Sequence, residues 1–209
     1  MSFRFDEPEF RSRATRLFGV PAAVPRRSDD DLNPEAPIIA PGIEPKPAAV
    51  LVPLVPRDTG LHLLLTRRTE HLKRHPGQVA FPGGRVDAAD ESEVAAALRE
   101  TEEETGIARD FIEPVGFLDT YLTGTSYRIV PVVGLLRPGF TVTPHEGEVA
   151  EVFEVPLAFL MNPDHHERHS REFKGALRHY YAMTYESRYI WGATAGMIRN
   201  LYMLMYGES

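Results

Sequence analysis

A glycine-rich loop that leads into a carboxylate-rich helix, over residues 83–107, constrains the fold of this chain more than any other feature. Two glycines open the stretch, and Asp90 is a suitable N-cap because Glu93, three positions later, completes a capping-box pattern. Gly106 suits the end of a helix, and no Pro or Gly interrupts the helix interior. The pattern therefore predicts a loop followed directly by a continuous helix that stops at Gly106.

Three glutamates of this helix, Glu100, Glu103 and Glu104, fall within an arc of about 100° on the helical wheel. Like charges three and four positions apart repel each other, so the arrangement does not stabilise a helix by itself. A divalent cation would remove the conflict, because Mg²⁺ prefers carboxylate oxygens, water and substrate phosphate as ligands. A solvated acidic face is the plainer interpretation of an isolated run of glutamates. The choice between such a face and a metal site therefore depends on the neighbouring sequence.

That neighbouring sequence resembles the Nudix box, Gly-x5-Glu-x7-Arg-Glu-U-x-Glu-Glu-x-Gly-U, in which U is a bulky apolar residue. The matching residues are Arg99, Glu100, Glu103, Glu104, Gly106 and Ile107. Thr101 stands where an apolar residue is expected. The first acidic place falls either on Glu91, if the loop carries one extra residue, or on Asp90.

The resemblance implies an α+β fold, a Nudix-type α/β/α sandwich with a mixed sheet and a loop–helix catalytic motif. It implies Mg²⁺ or Mn²⁺ as cofactor, with a metal site formed by Glu100, Glu103, Glu104 and Gly84. Arg99 would hold a neighbouring carboxylate in place. The general base would be a helix glutamate, such as Glu103, or Glu148 in the polar loop 145–149. A surface glutamate at a strand edge is the plainer interpretation of Glu148.

The segment before the box, residues 64–84, resembles the signature of one Nudix subgroup, the coenzyme A pyrophosphatases: Leu-Leu-Thr-x-Arg-(Ser/Ala)-x3-Arg-x3-Gly-x3-Phe-Pro-Gly-Gly. Thr69 replaces the expected Ser or Ala, and Lys73 replaces the second Arg. The substrate-binding residues predicted from this segment are Arg67, Arg68, Lys73, Arg74, His75, Gln78, Gly83 and Gly84. On charge alone, a solvated basic turn would be the plainer interpretation.

Together the two motifs imply metal-dependent hydrolysis of coenzyme A or a derivative, giving adenosine 3′,5′-bisphosphate and 4′-phosphopantetheine or its acyl form. One alternative is a Nudix enzyme that acts on ADP-ribose, a dinucleotide or a nucleoside triphosphate. The other is a non-catalytic nucleotide-sensing module, which could dispense with the three carboxylates that this chain retains.

Composition limits the partners of the chain. Its 209 residues have a net charge of −7, which argues against a broad nucleic-acid-binding surface. No apolar run approaches the ~20 residues of a membrane span, and the N-terminus is a poor signal peptide. The absence of cysteine excludes disulfides and thiolate nucleophiles. We therefore expect a cytoplasmic protein with a small-molecule substrate, whose oligomeric state stays open, a homodimer included.

Two regions follow from the remaining pattern: an N-terminal helix with a Pro-rich arm over residues 1–47, and a hydrolase domain over residues 48–209. The predicted strands are 48–55, 61–66, 79–81, 115–122, 127–135, 148–155 and 178–183, and a last helix covers 193–206. The stretch His165–His169 is predicted to be a solvated loop rather than a transition-metal site. Trp191 is predicted to pack in the core rather than contact a ligand.

Overall fold

The computed structural model describes residues 4–15, 17, 21–39, 42–72, 75–173 and 175–207. The α-helices are α1 (Glu7–Ala14), α2 (Glu93–Thr105), α3 (Leu157–Leu160) and α4 (Ala193–Met205). The strands are β1 (Arg27–Ser28), β2 (Lys46–Arg57), β3 (Gly60–Arg68), β4 (Val79–Ala80), β5 (Gly83–Arg85), β6 (Ile112–Phe117), β7 (Tyr121–Leu122), β8 (Tyr127–Leu136), β9 (Val149–Pro156), β10 (Glu167–Phe173), β11 (Ala176–Tyr185) and β12 (Arg188–Trp191). None of the described helices is long and apolar enough to cross a membrane.

The centre of the main sheet is β2, whose apolar run is buried on both faces, as expected for an interior strand. It pairs in parallel with β8 and antiparallel with β3 and β5, so the sheet is mixed. β3 in turn pairs with β4 and β9. These pairings bring the end of β3, the glycines of β5 and the start of β9 into one region.

Helices cover both faces of the main sheet. α2 packs on one face through Ala96 and Ala97, in a cluster that includes Leu64 of β3. α4 and α1 pack on the other face, in a cluster that includes Leu63 and Leu65 of β3. The arrangement confirms the predicted α+β sandwich with a mixed sheet.

A second sheet, formed by β10, β11 and β12 in antiparallel order, was not predicted. The prediction of a solvated loop over His165–His169 is wrong, because a 3₁₀ turn at Pro163–His165 leads directly into β10. Six of the seven residues of β10 are exposed, so this strand lacks the alternation of buried and exposed residues by which a strand is recognised.

The predicted strand 115–122 is divided into β6 and β7. A register shift lies between Pro114 and Gly116, and the strand is interrupted at Leu118–Thr120. There the Asp119 backbone N–H donates to Asn200 Oδ1 of α4 at 3.0 Å instead of to a neighbouring strand. Tertiary contacts with α4 therefore divide a segment that reads as continuous in the sequence.

The N-terminal region lies against the same body. Phe10, Ala14 and Leu17 are buried in the core cluster that contains α4, and Phe18, which follows them at helical spacing in the sequence, lies outside the described residues. Further along, the Arg26 N–H donates to Thr120 O at 3.1 Å, and β1 pairs in parallel with β7. The division at residue 47 stays a prediction, although α1 shares the core of the strands that follow.

Candidate active site

Helix α2 begins after a serine. Ser92 is the N-cap, and its side chain accepts from the Ala95 N–H at 3.1 Å, so the predicted N-cap at Asp90 is wrong. The Asp90 carboxylate instead accepts from the Asp87 N–H at 2.8 Å and from Arg99. The helix ends as predicted at Gly106, whose φ of 71° suits glycine.

Arg99 joins the loop to the helix. Its Nη2 and Nε donate to the two Asp90 oxygens at 2.9 and 3.0 Å, and its Nη2 also donates to Arg85 O at 3.1 Å. Its Nη1 donates to Glu100 at 3.0 Å and to Glu103 at 3.2 Å. The ion pair with Arg99 lowers the pKa of Asp90. Of the two candidates for the first acidic place, Asp90 is therefore the one that contacts the helix motif.

Glu100 lies directly against the glycine strand β5. A β-carbon at position 84 would lie 2.5 Å from the Glu100 carboxylate carbon, so only glycine leaves room for this carboxylate. Burial raises the pKa of Glu100, and the Arg99 hydrogen bond opposes that shift. The second glycine of the loop thus serves close approach to a carboxylate.

Glu104 is the most buried of the three predicted metal-binding glutamates. Its Oε2 accepts from the Gly83 N–H at 3.2 Å, and its Oε1 lies 3.8 Å from Arg68 Nη1. Burial raises the pKa of Glu104 to about 7, and the negative charges of Glu100 and Glu148 contribute to the increase. The site therefore holds more negative charge than Arg68 neutralises.

Glu148 lies on a turn that is tied to both neighbouring elements. The Glu148 N–H donates to His145 O at 2.9 Å, and the His145 N–H donates to Glu104 O at 3.0 Å. The Glu148 carbonyl accepts from the Thr69 N–H at 2.9 Å. The exposed Glu148 side chain is therefore held near Glu104 but open to solvent, as a base acting on water requires.

The predicted substrate-binding residues separate into two groups. Arg68 lies beside Glu104, together with Gly83 and Gly84. Arg67, His75 and Gln78 instead line a cavity of about 380 Å³ between the turn before β4 and β12, here called the β12 cavity. Lys73 and Arg74 lie outside the described residues.

Two residues of the β12 cavity were missed by the sequence analysis. Arg188 lines it and donates to Glu151 Oε1 at 2.6 Å, while Arg67 donates to Oε2 of the same glutamate at 3.0 Å. Tyr189 lines it beside Trp191, which is only half-buried. Trp191 was predicted to pack in the core, and that prediction is wrong. The pairing of β3 with β9, which brings Arg67 to Glu151, has no local signal in the sequence.

A comparison with protein families identifies the family of the chain. The NUDIX domain model matches residues 45–175, which include β5, α2, the Glu148 turn and the segment that carries Arg67 and Arg68. The chain belongs to the Nudix family. Among its Nudix relatives, the uncharacterized Nudix hydrolase NudL of Enterobacter sp. (strain 638) is 42% identical over 154 residues, which cover 74% of this chain and 80% of that protein. The uncharacterized Nudix hydrolase NudL of Escherichia coli (strain K12) is 44% identical with the same coverage.

Among solved structures, a C. elegans Ap4A hydrolase in a binary complex aligns with a TM-score of 0.46 and 23% identity. The alignment covers 53% of this chain and 80% of that one. The protein is thus a Nudix hydrolase by its family model and its relatives.

Nudix hydrolases generally use divalent metal ions, and the carboxylates of α2 fit such an ion. Glu100 and Glu104 lie against the same glycine strand, and both have raised pKa values because burial leaves their charge poorly solvated. Glu103 is more exposed and is held by Arg99. Across the described part of the chain, no three acidic or histidine side chains form a ready-made metal cluster. An ion here would therefore share its ligands with water and substrate phosphate, as Mg²⁺ commonly does.

Proposed function

We propose that this Nudix hydrolase cleaves the diphosphate bond of coenzyme A or of one of its derivatives. Water adds to one phosphorus and the bridging P–O bond breaks. The products are adenosine 3′,5′-bisphosphate and 4′-phosphopantetheine, or its acyl form. The observation that carries the proposal is the segment 64–84, whose sequence resembles the coenzyme A pyrophosphatase signature and whose Arg68 lies beside the buried Glu104.

The geometry of the segment supports an extended, multiply charged substrate. Arg68 and the β5 glycines suit a diphosphate near the carboxylates, because a guanidinium and a closely approached backbone can both contact phosphate oxygens. Arg67 contributes a second guanidinium, on the side of β3 that carries the β12 cavity. A substrate with phosphates at two places could contact both guanidiniums, whereas a substrate with phosphate at one place would contact only one of them.

The proposed roles follow from the contacts and the exposure of the residues at the site. Glu100, Glu103, Glu104 and Gly84 would hold Mg²⁺ or Mn²⁺, and Arg99 would position Glu100 and Glu103. A bound divalent ion supplies neutralisation of diphosphate charge and makes water more acidic. Glu148 would accept the proton of the attacking water, since it is exposed beside the cluster. Arg68 would hold a diphosphate oxygen and offset the negative charge around Glu104.

The proposal is tested with a substrate panel in which products are separated by chromatography in the presence of Mg²⁺. The panel contains coenzyme A, dephospho-coenzyme A and ADP-ribose, because only the first carries the 3′-phosphate. A charge-assisted contact with that phosphate is worth about 1.5–3 kcal/mol, or about ten- to a hundredfold. We expect kcat/KM for coenzyme A to exceed both other values by at least about tenfold. Equal cleavage of ADP-ribose would refute the coenzyme A assignment and leave a Nudix hydrolase of another nucleoside diphosphate derivative.

A further inference from the structure

The β12 cavity has an aromatic wall. Tyr189 and Trp191 both line it, and their rings are nearly parallel, with centroids 6.4 Å apart and an interplanar angle of 25°. Tyr189 is 37% exposed and Trp191 is half-buried, so neither ring is covered by the core. Partly exposed, parallel rings that line a cavity of about 380 Å³ can stack against a planar base.

The cavity also has a cationic wall. Arg67 and Arg188 line it, and no carboxylate stands among its described lining residues. Arg67 donates to Glu151 through Nε, and its guanidinium has no other acceptor among the described residues. A guanidinium carries five N–H donors, so the two Nη groups of Arg67 remain for another acceptor. Glu151 fixes the position of Arg67 without using its full donor capacity.

The β12 cavity and the carboxylates of α2 lie at two different places, and a ligand that contacts both must reach from one to the other. Arg67 and Arg68 are consecutive in β3, with Arg68 beside Glu104 of α2 and Arg67 beside the cavity. The two arginines therefore lie on opposite faces of the sheet. The core contacts of β3 show the same alternation, because Leu64 packs with α2 while Leu63 and Leu65 pack with α4. The two places meet at the end of β3, where the Arg68 N–H donates to Gln78 O at 3.0 Å. A ligand that occupies both must extend from the diphosphate to a second charged group.

We propose that the β12 cavity binds the 3′-phosphoadenosine half of the substrate. The base stacks against Tyr189 and Trp191, and the ribose 3′-phosphate accepts from the Nη groups of Arg67, with Arg188 alongside. The inference rests on the proposed function, since it assigns the nucleotide end of the same substrate. It makes Arg67 rather than Arg68 the residue that distinguishes coenzyme A from its dephosphorylated form.

Trp191 provides a direct measurement, because it is the only tryptophan of the chain. Its fluorescence is recorded while metal-free protein is titrated with adenosine 3′,5′-bisphosphate and, separately, with adenosine 5′-monophosphate. We expect a saturable change for both nucleotides, with at least about tenfold tighter binding of the bisphosphate, the range of one charge-assisted contact. Turnover plays no part in this readout.

Two variants separate the cavity from general effects on the fluorescence. Arg67→Gln should reduce the preference for the bisphosphate to less than about threefold, because the donor to the 3′-phosphate is lost. Arg171→Gln is the control, since Arg171 lies 4.5 Å from the Trp191 ring but does not line the cavity, and it should keep the full preference. Ser187→Glu, on an exposed turn that lines the cavity, should weaken the bisphosphate more than Ser187→Gln does, which gives a second test if Arg67→Gln folds poorly.

The outcomes distinguish this inference from the function on which it rests. A tenfold preference for coenzyme A in turnover without a Trp191 response would overturn the cavity assignment and leave the function intact. A preference that Arg67→Gln and Ser187→Glu leave unchanged would also overturn it. A Trp191 response that follows these variants in a protein that does not cleave coenzyme A would support the cavity as a nucleotide site and refute the proposed function.

Discussion

At the scale of single residues, the two carboxylate oxygens of Glu104 have unequal surroundings. Oε2 accepts one backbone hydrogen bond, while Oε1 lies 3.8 Å from the Arg68 guanidinium and accepts no hydrogen bond within the described part of the chain. The negative charges of Glu100 and Glu148 act on the same buried group and help to raise its pKa to about 7. Without a cation, ionisation of Glu104 therefore opposes folding.

The pH dependence of stability tests this balance in metal-free protein. The pKa of Glu104 is higher in the folded chain than its ordinary value of 4.5, so the folded state binds the proton more tightly. Binding of this proton stabilises the folded state fully below the ordinary pKa, and the stabilisation is lost as the pH rises through about 7. The free energy of unfolding of wild type and of Glu104→Gln is measured by urea denaturation. Between about pH 5 and about pH 8, the free energy of unfolding of the variant should rise relative to that of wild type by on the order of 2 kcal/mol. A difference that does not change with pH would contradict the raised pKa.

The same variant also tests the metal assignment through activity. At saturating Mg²⁺, Glu104→Gln should keep the fold and lose most turnover, because the neutral amide is a poorer ligand for a hard cation. Glu102→Gln is the matched control on the same helix, since Glu102 pairs with Arg109 away from the cluster, and it should stay close to wild type. Near-normal activity in the Glu104 variant would remove Glu104 from the metal site.

Glu148 is tested by separating kcat from KM. Glu148→Gln should lower kcat by about 10²-fold or more with little change in KM, which is the range of general-base catalysis. Glu146→Gln, an exposed glutamate on the same turn, serves as control and should change neither constant. An effect confined to KM would instead place Glu148 in substrate binding.

At the scale of elements, Arg99 and Asp90 fix how the loop meets α2. The Asp90 side chain is 6% exposed and takes two hydrogen bonds from Arg99, whose other donors reach Glu100 and Glu103. The loop therefore positions two glutamates through one guanidinium. Partners of this kind commonly change metal affinity by 10- to 100-fold when they are removed.

Asp90→Asn should weaken binding of Mn²⁺ by about tenfold, because it releases Arg99 and with it the orientation of the glutamates. Titration calorimetry with Mn²⁺ measures this directly. Asp87→Asn is the matched control, since that carboxylate is 67% exposed and lies 3.7 Å from Arg99. If both variants bind Mn²⁺ as wild type does, the Asp90–Arg99 pair contributes to folding alone.

The local sequence pattern was sufficient to predict helix α2, which bears the candidate metal-binding glutamates. The helical arc of Glu100, Glu103 and Glu104 and the stop at Gly106 are properties of neighbouring residues, so α2 could be placed closely. Its first residue could not, because Asp90 and Ser92 are equally good N-caps and the choice depends on the distant Arg99. The strand predicted over residues 48–55 from its apolar run is also close to the observed β2, Lys46–Arg57.

Contacts between distant segments account for what the sequence did not predict. Six of the seven residues of β10 are polar, so its strand character depends on pairing with β11. Arg188 lines the β12 cavity, where Glu151 bridges it to Arg67, a contact between segments that are far apart in the sequence. The separation of Arg67 from Arg68 depends on which face of β3 each occupies, which the charge pattern of the segment does not specify.

At the scale of the whole molecule, the N-terminal arm ties the two sheets together. Asn33 is 6% exposed, and its Nδ2 donates to His179 O of β11 at 2.9 Å. Its Oδ1 accepts from the His179 N–H at 2.7 Å. Nearby, Arg178 donates to the Asp29 carbonyl and to the Asp30 carboxylate. The arm thus holds the sheet that carries β12 and its cavity.

Asn33→Ala should lower the free energy of unfolding by about 2 kcal/mol, because it leaves the backbone N–H and C=O of His179 without these partners in a partly buried place. Urea denaturation measures the loss, and Glu35→Ala, an exposed position two residues further along the arm, should cost little. If the arm holds the second sheet in place, nucleotide affinity measured by Trp191 fluorescence should fall in the Asn33 variant before global unfolding, at low urea. Loss of stability with unchanged nucleotide affinity up to the unfolding transition would show that the arm strengthens the fold without positioning the cavity.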